Sequence, residues 1–247
     1  MTAIVEVAGL SHGFRDTRVL DDISFTVPAG ALVALVGPTG CGKSTLLRIL
    51  AGLTLPESGR ARIDGVSTAT GRHAAYMPQG DTLLPWRSAL RNATLGAQVG
   101  GADRRVAEGR ARDLFARFGL AGFEDAWPAA LSGGMRQRVA LLRTVLTDRP
   151  VLLLDEPFAS LDAITRADLQ EWLANLLLVE TRTALLVTHD VDEAMRLADA
   201  ILLLSPRPAR VVDRITLPDD RPRSAIRVTE TDFAMVKRHV LQLLAGR

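Results

Sequence analysis

Apolar and polar residues alternate at Ile4-Val5-Glu6-Val7 and again at Ile23-Ser24-Phe25-Thr26-Val27, the period-two pattern of strands with one buried face. Residues 59–65, centred on Ile63 and bounded by Gly59 and Gly65, read as another short strand, so an antiparallel sheet is expected near the N-terminus. Four later runs, 32–36, 151–154, 185–187 and 201–204, are apolar throughout. Unbroken runs of that length predict strands buried on both faces, as in a parallel sheet. Residues 104–118 and 134–147 carry apolar side chains at helical spacing and make the middle third a helical insertion. Residues 165–179 form a further helix, and Phe233, Val236, Val240 and Leu243 line one face of a terminal helix. Pro206, Pro208, Pro218 and Pro222 break up the stretch before it. No internal repeat, heptad array or low-complexity tract is present.

Length and composition narrow the class. At 247 residues, 47% hydrophobic and 23% charged, the chain suits one large folded domain, with room for a compact insertion. Every apolar run is far shorter than the roughly 20 residues a membrane-spanning helix needs. The start, Met-Thr-Ala-Ile-Val-Glu, lacks the basic and apolar regions of a secretory signal, so the chain is expected to remain in the cytoplasm. A single cysteine, Cys41, excludes an internal disulfide and a cysteine-based metal cage, and the four histidines show no zinc spacing. The net charge of +2 points to no particular partner. Only two of the 30 basic residues are lysine, Lys43 and Lys237, which singles out Lys43 inside a glycine loop.

That loop is Gly37-Pro38-Thr39-Gly40-Cys41-Gly42-Lys43-Ser44, which fits G-x-x-x-x-G-K-[ST] at every fixed position. It follows the buried run 32–36 and opens the helical run that begins at Thr45. Glycines let backbone amides turn inward around phosphates, and a helix N-terminus adds partial positive charge. Lys43 is expected at the β- and γ-phosphates of ATP, and the Ser44 hydroxyl on Mg²⁺. Cys41 reads either as a small structural residue or as a thiol activated by the helix start.

Asp155 and Glu156 stand at the carboxyl end of the run 151–154, where ligands of open α/β sheets bind. Asp155 is placed to hold Mg²⁺ and Glu156 to act as general base on the attacking water, the alternative being a solvated turn. His189 follows the run 185–187, where a γ-phosphate could be met or where a histidine is simply structural.

About 20 residues before the carboxylates stands Leu131-Ser132-Gly133-Gly134-Met135-Arg136-Gln137, at the start of a predicted helix. Ser132 reads as a helix N-cap or, with the amides of Gly133 and Gly134, as a second anion site. Two phosphate-binding helix starts suit two subunits facing head to tail, each completing the other's site. The motif resembles the signature of ABC ATPases, and the likeness spans most of the chain. It implies a P-loop α/β core with an N-terminal antiparallel β subdomain and an inserted helical subdomain. The implied boundaries are 1–80 and 150–225 for the core, 81–149 for the insertion and 226–247 for the terminal helix. The resemblance also makes Phe14 the adenine-stacking aromatic, Gln79 the lid glutamine on Mg²⁺ or the attacking water, Asp162 part of the dimer-facing loop and His189 the switch histidine. Phe14 replaces the more usual tyrosine, and core packing is its alternative role. Met135 stands where many members carry glutamine.

Beyond Gln79 the chain continues Gly80-Asp81-Thr82-Leu83-Leu84-Pro85-Trp86-Arg87. This segment and Gly-Gly-Met-Arg-Gln-Arg-Val are similar to ATPases of the nitrate, sulfonate and taurine importer group, which includes importers of thiamine-precursor pyrimidines. The resemblance implies a peripheral protein on the cytoplasmic face of the membrane. Its partners would be a second copy of itself, a permease met through residues 83–86, and an extracytoplasmic solute-binding protein. Trp86 packed inside the insertion is the alternative to that contact. An exporter ATPase, or a non-transport ABC ATPase on nucleic acid, would share the chemistry. Neither long coiled-coil arms nor a second cassette is present, so no nucleic-acid partner is expected.

Overall fold

A computed structural model describes residues 3–71, 73–224 and 226–245. Strands β1 (Ala3–Phe14) and β2 (Thr17–Pro28) form a long hairpin, followed by β3 (Leu32–Val36) and helix α1 (Lys43–Leu50). Next come β4 (Ser58–Ile63), the short β5 (Val66–Ser67) and β6 (Ala74–Met77). Four helices follow: α2 (Ala89–Ala93), α3 (Leu95–Val99), α4 (Arg104–Arg117) and α5 (Gly133–Val145). The remainder runs β7 (Val151–Asp155), α6 (Ala163–Val179), β8 (Thr183–Val187), α7 (Val191–Leu197), β9 (Ala200–Leu204), β10 (Val211–Thr216) and α8 (Thr231–Leu244).

Among the described residues there are two sheets. One is antiparallel, in the order β2-β1-β4-β5. The other runs β10-β9-β3-β8-β7-β6, parallel from β9 to β6 with β10 antiparallel at one edge. The four apolar runs are the central strands β3, β7, β8 and β9, buried at every position. Their side chains alternate between two cores. Val33, Leu35, Leu153, Leu185 and Leu202 meet α1 and the antiparallel sheet, whereas Leu32, Ala34, Leu152, Leu186 and Leu203 meet the core built on the later helices. A strand covered on both faces has no solvent-facing row of positions, which explains the missing alternation.

Helix α1 buries Leu46, Leu47, Ile49 and Leu50 between the sheets. At about 1.5–3 kcal/mol for each such side chain, this face fixes where the helix begins, and with it the loop ahead of Lys43.

Besides the two-residue β5, two strands escaped the sequence pattern. β6 reads Ala-Ala-Tyr-Met, with no β-branched residue, and takes its place by pairing with β7. β10 alternates half-buried and exposed residues at a sheet edge, where Pro206, Pro208 and Pro218 around it obscure a weak signal.

Candidate active site

The loop between β3 and α1 holds its shape through one glycine in particular. Gly42 has φ +129°, and a Cβ there would stand 2.8 Å from Leu20 Cδ2 and 2.9 Å from Val19 Cγ1. Only glycine lets the loop lie against β2 in that conformation. Lys43 is buried, and its ammonium donates to the carbonyls of Gly37 at 2.7 Å and Pro38 at 3.0 Å. Cys41 is buried within the core between the sheets, which selects its structural reading over the reactive one. Thr39, Gly40, Gly42, Lys43, Ser44 and Thr45 line a cavity of about 180 Å³, with Gln79, Glu156, Val187 and Arg207 closing its other sides.

At the end of β7, Asp155 is 1% exposed. Burial holds its carboxyl above the ordinary range; the nearby Ser44 hydroxyl pulls it down and the Glu156 charge pushes it up. The Tyr76 hydroxyl donates to Oδ2 at 3.5 Å, while Oδ1 is buried with no partner. A buried carboxylate oxygen without a donor, beside a serine hydroxyl, is chemically suited to a hard divalent cation.

Three strand ends then converge. Gln79 lies two residues past β6, Glu156 directly follows β7, and His189 lies two residues past β8. Because β6, β7 and β8 are parallel neighbours, these side chains meet at one sheet edge. Gln79 Nε2 donates to Glu156 Oε2 at 3.2 Å, and His189 Nδ1 lies 3.4 Å from Glu156 Oε1. The Glu156 amide donates to the Val187 carbonyl at 2.9 Å, and Gln137 Nε2 donates to the carbonyls of Glu156 at 3.4 Å and Pro157 at 3.1 Å. Glu156 has φ +50°, a left-handed conformation that costs about 1 kcal/mol or more and that these contacts enforce.

Other expected site residues sit elsewhere. Ser132 caps α5, its Oγ accepting from the Met135 amide at 3.2 Å. Asp162 caps α6, and the hydrogen bonds it accepts from Thr165 lower its carboxyl below the ordinary range. A Cβ on Gly134 would stand 3.4 Å from the Ser160 carbonyl, so Ser132, Gly133 and Gly134 share a surface with the 160–162 loop. None of these residues lines the phosphate-loop cavity. Phe14 ends β1 half-exposed, edge-on to His12 with ring centroids 4.8 Å apart, which removes the core-packing alternative. Residues 83–86 divide: Leu83 is buried in the core, whereas Trp86 is 68% exposed rather than packed inside the insertion.

Tyr76, Gln137 and Arg207 join the site without having been singled out. Gln137 lay within the quoted signature, but its partners at 156 and 157 are visible only in three dimensions.

The profile of the family described as ABC transporter matches residues 20–159. The chain is 48% identical over 219 residues to the aliphatic sulfonates import ATP-binding protein SsuB 1 of Rhodococcus jostii, across 89% of this chain and 85% of that one. It is 41% identical over 228 residues to the formylaminopyrimidine import ATP-binding protein ThiZ of Halalkalibacterium halodurans, across 92% and 90%. Among solved structures, the dimeric ATP-binding cassette MJ0796, in a post-hydrolysis state bound to ADP and phosphate, aligns with a TM-score of 0.79 at 26% identity. That match covers 87% of this chain and 100% of the cassette.

Proposed function

The chain belongs to the ABC transporter family, and we propose that it is the ATP-hydrolysing subunit of an importer. Its cargo would be a small solute such as nitrate, a sulfonate, taurine or a pyrimidine thiamine precursor, carried by a separate permease. The observation that carries the catalytic reading is the Glu156 carboxylate, approached by both Gln79 and His189 beside the loop that holds Lys43 and Ser44.

In this reading Lys43, the loop amides of residues 37–42 and the start of α1 bind the phosphates of ATP, and Phe14 stacks on the adenine. Ser44, Asp155 and Gln79 would hold Mg²⁺, which supplies charge neutralisation at the phosphates when bound. Glu156 accepts a proton from water as the water oxygen bonds to the γ-phosphorus and the bond to the β-phosphate oxygen breaks. The products are ADP and phosphate. Gln79 and His189 fix the direction of that carboxylate before substrate arrives.

The surface bearing Ser132, Gly133, Gly134 and Asp162 completes the site of a second copy, facing head to tail. The permease contact narrows to Pro85 and Trp86, because Leu83 is buried. Asn92, wholly buried, accepts from the Leu84 amide and donates to the carbonyls of Leu84, Arg87 and Ser88, so this loop is held rigidly. No helix among the described residues is long and apolar enough to cross a membrane. Attachment would therefore be peripheral, at the cytoplasmic face through the permease, with a solute-binding protein on the far side.

The test is phosphate release from ATP by the purified chain, alone and with its permease, in the presence of Mg²⁺. Turnover that Lys43→Ala abolishes together with ATP binding is expected. No turnover by the parent in either setting, or an unimpaired Lys43→Ala, would overturn the proposal.

A further inference from the structure

A second cation stands at the phosphate-loop cavity. Arg207 comes from the turn between β9 and β10, and its Nε and Nη2 donate to the Gly40 carbonyl at 3.2 and 2.5 Å. Gly40 has φ +76°, and a Cβ there would lie 3.8 Å from Arg207 Nη2. The guanidinium therefore lies against the open side of the loop. It lines the same cavity as Lys43, Ser44 and Glu156.

The turn that presents it is well anchored. Arg207 is flanked by Pro206 and Pro208, each fixing its own φ. Ser205 accepts from the Arg210 amide at 2.9 Å through its Oγ, and its own amide donates to the Arg210 carbonyl at 3.0 Å. Ala209 is stitched to β2: its amide donates to Val19 at 2.8 Å and its carbonyl accepts from Asp21 at 2.9 Å. Val19 is also one of the two residues pressed against Gly42. One stretch of β2 thus fixes both the phosphate loop and the turn that carries Arg207.

The chemistry leaves this arginine with work still to do. Lys43 already directs two of its three donors at the Gly37 and Pro38 carbonyls, leaving one for a polyphosphate that bears several negative charges. Arg207 has five N–H donors in a planar fork suited to phosphate oxygens, and its hydrogen bonds among the described residues all go to Gly40. No carboxylate of the described residues pairs with it, although the neighbouring Arg210 pairs with Asp21. An exposed, pre-positioned and unneutralised guanidinium at an anion-binding loop is suited to the anion itself.

We infer that Arg207 is a phosphate-binding residue of this site, holding the Gly40 carbonyl while its remaining donors contact the polyphosphate of a nucleoside di- or triphosphate. The inference rests on the ATPase reading and assigns a further residue to it. ATP affinity, measured by equilibrium titration with labelled ATP, should be compared in the parent, Arg207→Ala, Arg207→Gln and Arg207→Lys. One charge-assisted contact at a solvent-exposed position corresponds to about tenfold in affinity. Arg207→Ala and Arg207→Gln should both bind about tenfold more weakly, with Arg207→Lys within about threefold of the parent and the salt dependence of binding reduced when the charge is lost. Glutamine can still donate to the Gly40 carbonyl but carries no charge. Parental affinity in Arg207→Gln would therefore reduce the residue to a brace for the loop and overturn the inference, as would parental affinity in Arg207→Ala. A parent that fails to bind ATP would instead strike the ATPase reading, and Lys43→Ala run in parallel separates the two failures.

Discussion

Replacing Glu193 with glutamine should make the protein more stable at pH 8, with a much smaller gain near pH 5. Glu193 lies in α7, 7% exposed, with Oε2 accepting from Gln170 at 3.2 Å and Oε1 buried without a partner. Burial, followed by the charge of Asp190, pushes its carboxyl from 4.5 up to about 7, against weaker downward pulls from Thr188, Arg166 and Gln170. A displacement of that size corresponds to roughly 3 kcal/mol of penalty on the ionised form. Between pH 4.5 and about 7 the native carboxyl keeps a proton that the unfolded one has released. Stability from this group is therefore fully present below 4.5 and is lost as pH rises through about 7. Glutamine is a neutral isostere whose carbonyl oxygen can keep the Gln170 bond, so it removes the penalty without removing the contact. Urea unfolding of parent and variant at intervals from pH 5 to 8 reads the difference, which should grow with pH to at most about 3 kcal/mol. A difference that stays flat across the window, or a variant less stable than the parent at pH 8, would show that the ionised Glu193 carries no such burial penalty.

Two further outcomes follow from the division of the site. Trp86→Ala should leave ATPase of the isolated subunit intact while weakening permease binding by about 2 kcal/mol, as truncation of a buried aromatic anchor does; unchanged permease binding and transport would remove Trp86 from the coupling surface. Ser132→Arg should spare ATP binding by the monomer yet stop hydrolysis. When it is mixed with Lys43→Ala subunits, each mixed dimer keeps one site free of both changes, and partial turnover should return if that site can work alone.

The parts of the site that were legible lie where chemistry and strand pattern coincide over a few adjacent residues. The phosphate loop sits between an unbroken apolar run and a helix, Asp155 and Glu156 directly follow a second such run, and His189 stands two residues past a third. Gln79 was accessible only through family likeness, because β6 before it lacks any strand signature. Tyr76, on that same strand, stayed hidden for the same reason. Arg207 reaches Gly40 across 167 positions of sequence, through an edge strand and a proline-flanked turn, and no local pattern records such a contact. Ser132 shows the opposite limit. Its N-capping bond is complete within one chain, so its role toward a nucleotide depends on a surface that a second copy must meet.

In the proposed mechanism Glu156 is the base that activates water. The decisive measurement is ATP binding and single-site hydrolysis by Glu156→Gln, with the Mg²⁺ site left intact. Glutamine preserves the shape that Gln79 and His189 surround but cannot accept the proton. Binding should stay within a few-fold of the parent while hydrolysis falls by about 10² to 10⁴ and an ATP-bound dimer accumulates. Near-parental turnover by this variant, with ATP bound normally, would show that Glu156 is not the base.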